Sequence, residues 1–166
     1  MVTSLGSPDR KLYRWQLDAL VSWLRCGRRG VIEAVTGSGK TEIAIAAASD
    51  ALRRGRFVLV LVPSRVLMEQ WHVALRAALP DAQIGRLGDD GRDTAATCDV
   101  LVATRHSAAA YKPIPRGAAA LVVVQASRLP HLILWCRRLA CTRIQLCGNP
   151  PIDSLRAYAF SIRCCT

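Results

Sequence analysis

One run, Ala34-Val35-Thr36-Gly37-Ser38-Gly39-Lys40-Thr41, restricts the folds open to this chain more than any other. Before it stands Gly30-Val31-Ile32-Glu33-Ala34, short and β-prone. After it, Lys40 to about Arg54 is rich in Ala and Ile and predicts a helix that Gly55 ends. A Gly-rich turn between strand and helix lets backbone N–H groups converge on an anion, with the positive end of the helix aimed at the same point. Thr36, Gly37, Ser38 and Gly39 would form the cradle. Lys40 is spaced to reach the β- and γ-phosphates of a nucleotide, and Thr41 to offer a hydroxyl to Mg²⁺. The strict pattern opens with Gly, where this chain has Ala34. The plain alternative is a Gly-Ser turn with a chance lysine, and the flanking strand and helix argue against it.

Apolar runs and helical patterns alternate along the chain. Tyr13 to Cys26 carries a wide apolar face closed by Gly27, and Val66 to Leu79 a second one ended by Pro80. Phe57–Val62, Asp99–Ala103 and Ala119–Val124 read as strands buried on both faces, while Gly85 to Thr94 reads as an exposed loop. This order predicts an α/β fold with a mainly parallel sheet flanked by helices. In such sheets ligands bind beyond the carboxyl ends of the strands. The glycine loop, Pro63-Ser64-Arg65 and Thr104-Arg105 all follow strand ends directly.

Charge points to phosphate-rich partners: 23 basic residues stand against 12 acidic ones, a net charge of +11. A surplus of arginine over lysine also fits a merely compositional origin. No apolar run reaches membrane-span length and residues 1–10 lack a signal-peptide core, so a cytoplasmic protein is expected. The seven cysteines are then expected as free thiols. Cys136, Cys141 and Cys147, with His131, lack the paired spacing of a zinc site. The sequence says nothing of oligomeric state.

With Ala at its first place, the loop resembles the A-x-T-G-x-G-K-T form of superfamily 2 helicases and translocases of the DEAD/DEAH-box kind. Leu12-Tyr13-Arg14-Trp15-Gln16 resembles their upstream motif, and Gln16 matches the glutamine that reads adenine there. Many members carry arginine where this chain has Tyr13. Residues 61–71, with Pro63-Ser64-Arg65, resemble the motif that holds nucleic-acid phosphates. Val100–Thr104 is similar to a later strand-end motif touching the same backbone, and Ile84–Gly88 to the Gly-containing segment between them. The resemblance spans roughly residues 12–124. It implies a RecA-like lobe that binds ATP and Mg²⁺ through Gln16 and Thr36–Thr41. It further implies that Ser64, Arg65 and Thr104 hold the nucleic-acid backbone, DNA fitting the motif form better than RNA.

The pattern breaks at the next strand. Family members end it with Asp-Glu-x-His or Asp-Glu-x-Asp, the carboxylates that hold Mg²⁺ and polarise water. Here Val124 and Gln125 occupy those places, so no catalytic residue of that pair is intact. Eleven of the 12 acidic residues lie at or before Asp99, and five of the seven cysteines lie beyond Val124. A degenerate motif would place Arg143–Pro150 at the position of the Thr-Ala-Thr coupling motif. A reading-frame slip after Val124 accounts better for the change in composition. The expected organisation is a lobe over 1–124 and an aberrant, irregular tail over 125–166. The expected function is the ATP-binding lobe of a DNA helicase or translocase, incapable of hydrolysis alone. The alternative is a non-enzymatic DNA- or protein-binding module with a relic phosphate loop.

Overall fold

The computed structural model of the protein describes residues 11–34, 37–88, 91–111, 120–125, 131–137 and 161–163. Helix α1 (Arg14–Arg25) leads into β1 (Arg29–Glu33), then α2 (Lys40–Leu52), β2 (Phe57–Val62) and α3 (Arg65–Ala78). A short hairpin follows, β3 (Ile84–Gly88) and β4 (Gly91–Arg92). Then come β5 (Val100–Thr104), α4 (Arg105–Tyr111), β6 (Ala120–Gln125), β7 (His131–Arg137) and β8 (Ser161–Arg163).

All strands join one sheet in the order β4-β3-β5-β2-β6-β7-β1-β8. β3, β5, β2 and β6 run parallel. β7 lies antiparallel to both β6 and β1, which makes β1 parallel to β6. The carboxyl ends of β1, β2, β3, β5 and β6 therefore share one edge. This is the α/β architecture expected from the apolar runs.

The strands are apolar on both faces because both faces are covered. Val58, Val60 and Val62 pack with Val100, Val102, Leu121 and Val123 against the helices α1, α2 and α3. Leu59, Leu101, Ala103 and Val122 face the other way, with Leu87 and Ala108 of α4. Burying each Val or Leu contributes about 1.5–3 kcal/mol. In α2 every residue from Ile43 to Ala48 is buried. Alanine lets this helix sit close to the sheet, which fixes the glycine loop ahead of it. One charge is buried in the same helix. Asp50, 7% exposed, accepts from Arg28 Nε (3.3 Å) and from Arg54 Nε and Nη2 (3.3 and 3.2 Å).

Two expectations need correction. Gly85 to Thr94 is not a plain loop but includes the β3–β4 hairpin. Its glycines allow close backbone approach: a Cβ on Gly91 would fall 2.7 Å from the Arg86 carbonyl oxygen. The Asp93 carboxylate accepts the Arg86 N–H at 2.8 Å and fixes the pairing. Among the cysteines, Cys98 is a free thiol, but Cys26 is disulfide-bonded. Inference from compartment does not reveal which thiols the fold brings together. Of residues 125–166, the structure describes Gln125 at the end of β6 and the strands β7 and β8. Arg143–Pro150 lies outside the described residues, as do Cys141, Cys147, Cys164 and Cys165.

Candidate nucleotide and nucleic-acid site

The glycine loop leaves β1 at Glu33 and enters α2 at Lys40. Gly37 and Gly39 take left-handed φ values of 82° and 83°. That conformation costs an L-residue about 1–2 kcal/mol, so two glycines here mark a loop whose curvature is imposed. Val35 and Thr36 lie outside the described residues, so the Thr36 assignment stays with the sequence. Lys40 Nζ donates to the Ala34 carbonyl at 2.5 Å, which lays the ammonium across the start of the loop. Burial pushes the Lys40 pKa below its ordinary value. Ser38 Oγ is buried with no hydrogen-bond partner among the described residues. A buried hydroxyl without a partner is costly unless a ligand or water completes it.

These features fit a polyphosphate. The loop has two left-handed glycines, a buried hydroxyl with no partner among the described residues, and a cation at its mouth. Thr41 follows in the first turn of α2, half-buried. It could offer its hydroxyl to Mg²⁺.

The glutamine of the upstream motif meets this loop directly. Tyr13 caps α1, and its N–H donates to Gln16 Oε1 at 2.9 Å. Gln16 Nε2 donates to the carbonyls of Gly39 (3.1 Å) and Ser38 (3.4 Å). The motif resemblance points to Gln16; nothing in the sequence reveals that the amide grips the loop backbone.

The second group of expected residues gathers along the same edge. Ser64 caps α3 by accepting the Leu67 N–H at 3.3 Å, and Arg65 is exposed in the first turn. Thr104 ends β5 in register with Val62 of β2. Its hydroxyl donates to Ser107 Oγ at 2.9 Å and accepts the Ser107 N–H at 3.2 Å, closing the start of α4. Gly88, at the end of β3 with φ 121°, packs onto the same pair: a Cβ there would fall 2.6 Å from Ser107 Oγ. Ser107 escapes sequence reading, although Thr-x-x-Ser after a strand is a helix-start signal. Ends of β2, β3 and β5 thus meet around Ser64, Thr104 and Gly88.

At the end of β6 the chemistry changes. Val124 is half-buried in the second core layer. Gln125 Oε1 accepts the indole N–H of Trp71 at 2.5 Å, and Trp71 is buried in α3. The side chain standing at the glutamate position is therefore tied to a core indole. Neither residue supplies negative charge.

A family model described as type III restriction enzyme, res subunit, matches residues 9–126, well over half of the chain. No curated protein matches the chain. The matched region begins just ahead of the upstream motif and ends one residue past Gln125.

Proposed function

The chain belongs to the type III restriction enzyme res subunit family, a helicase-like, ATP-binding group, and on that premise we propose that it holds Mg-ATP in the β1–α2 loop and nucleic acid along the neighbouring strand ends. The observation that carries this reading is the loop itself: left-handed Gly37 and Gly39, the Ser38 hydroxyl with no partner among the described residues, and Lys40 at the mouth. Gly37, Ser38, Gly39 and Lys40, with Thr36, would bind the phosphates, and Thr41 the magnesium. Bound ATP supplies the phosphoanhydride whose cleavage drives movement in intact family members. Ser64, Arg65 and Thr104 would hold the sugar-phosphate backbone. The motif form and the restriction-enzyme kinship support DNA over RNA. The same motif form supports the finer placement near DEAD/DEAH-box translocases.

The lobe extends to about Val124 in this proposal, and residues 125–166 form an aberrant extension. The change in composition and the end of the family match at residue 126 support that boundary. The lack of a carboxylate at Val124, half-buried beside the core, and at Gln125, tied to Trp71, supports a lobe that binds ATP without hydrolysing it. That tie also favours a second reading, a DNA- or protein-binding module in which the loop is a relic. Equilibrium titration with a fluorescent ATP analogue separates the two. Mg-dependent binding that Lys40→Ala abolishes is expected; equal binding by both proteins would refute the nucleotide site.

A further inference from the structure

Gln16 is only 1% exposed, and its amide is committed at both ends. Oε1 accepts the Tyr13 N–H, and the two acceptors of Nε2 are the carbonyls of Ser38 and Gly39. A primary amide donates only through its two N–H protons, and the acceptors within reach of them here are loop carbonyls. A glutamine that reads adenine must present one donor and one acceptor to the edge of the base. The approach to Gly39 is also close. A Cβ on that residue would lie 2.6 Å from Nε2, so glycine is what lets the amide reach the backbone. Beside it the Tyr13 ring is 71% exposed. A ring of this kind stacks on any base, because every base offers a π-face.

We infer that Gln16 is a positioning residue for the phosphate loop rather than a reader of the base, and that the site takes nucleoside triphosphates as a class. Gln16 holds the Ser38 and Gly39 carbonyls turned away from the cradle, which leaves the loop N–H groups facing inward. Its contribution then falls on the polyphosphate and is the same for every base. The inference rests on the proposed nucleotide site.

The test is displacement of a fluorescent ATP analogue from the full chain, in Mg²⁺, by ATP, GTP and inorganic tripolyphosphate. The wild type should bind ATP and GTP within about threefold of each other, since stacking is base-tolerant. Gln16→Met, which keeps the length but has no N–H, should weaken all three ligands in parallel by about tenfold, the loss of one or two hydrogen bonds. Its melting temperature should stay within a few degrees of the wild type. A wild-type preference for ATP over GTP beyond about tenfold would overturn the inference without any variant. So would a loss in Gln16→Met confined to ATP, or a parallel loss that merely follows a collapse in melting temperature. Failure of the wild type to bind the analogue at all would instead overturn the nucleotide site beneath it.

Discussion

The Gln16 side-chain amide and the Gly39 carbonyl meet at 3.1 Å across 23 positions of chain. Helix α1 is thereby fastened to the turn that opens α2, and the turn is held at a residue with φ 83°. Gly39→Ala would place a methyl group against the amide and force an L-residue into the left-handed region. The conformation alone should cost about 1–2 kcal/mol, and the clash adds to it. Urea unfolding should show a lower midpoint with an unchanged slope. An unaltered midpoint would mean that the contact does not constrain the loop.

Lys40 gives the site a pH dependence. Burial lowers its pKa from 10.5, so the ammonium is lost at a lower pH than in an ordinary lysine. A bound polyphosphate favours the charged form and raises the pKa again, and binding takes up a proton in that window. ATP affinity should therefore fall as pH rises through the lowered pKa, before 10.5 is reached. In the absence of ligand the sign reverses. The folded state binds fewer protons there than the unfolded one, so this group's contribution to stability rises with pH. Calorimetric titration in buffers of different ionisation enthalpy would detect the proton uptake. A flat profile would remove Lys40 from the phosphate contacts.

The bond between Gln125 and Trp71 should be a stability element. Gln125→Leu would strand the indole N–H in the core at a cost of about 1–3 kcal/mol. Gln125→Glu keeps an acceptor and should cost less. Thermal unfolding of the two variants orders them; equal losses would show that the acceptor is immaterial.

Catalysis should not follow from binding. With no carboxylate at Val124 or Gln125, residues 1–166 alone should show no DNA-stimulated phosphate release from ATP. Restoring Val124→Asp and Gln125→Glu together should leave them inactive, since a transition-state arginine from a facing lobe is itself worth about 10³–10⁵ in rate. Stimulated turnover that Lys40→Ala abolishes would show that the carboxylates have been misplaced.

Nucleic-acid binding should be backbone-directed. With a net charge of +11, affinity for duplex or single-stranded DNA should fall steeply over a salt series, with little sequence preference. Arg65→Ala should lower affinity and reduce the salt slope by about one. Binding indifferent to salt would leave the charge without a role at the strand ends.

The glycine loop, Ser64, Arg65 and Thr104 were legible as candidates because each follows a strand, and the strands announce themselves as apolar runs. Phe57–Val62 is bounded as its sequence implies, since Pro63 stops it and both of its faces are covered. The β3–β4 hairpin was not legible. Gly and Asp there look like loop residues until Asp93 is seen to close on the Arg86 N–H. Gln16 was found for its place in a motif, but its partners are backbone carbonyls, which sequence cannot distinguish. The Trp71–Gln125 contact spans 54 positions, and no local pattern encodes it.

The reversed direction of β7 decides which of its ends lies at the ligand edge. A parallel strand delivers the segment that follows it to the ligand edge; an antiparallel strand delivers the segment that precedes it. β7 begins at that edge, with His131 in register with Glu33, and leaves at the far side with Arg137 beside Ala120. Between the loop strand and β6, the chain thus enters a strand where its neighbours exit. Of β7, it is therefore His131 rather than Arg137 that stands on the edge shared with the Gly-rich loop and the Ser64 and Thr104 rim.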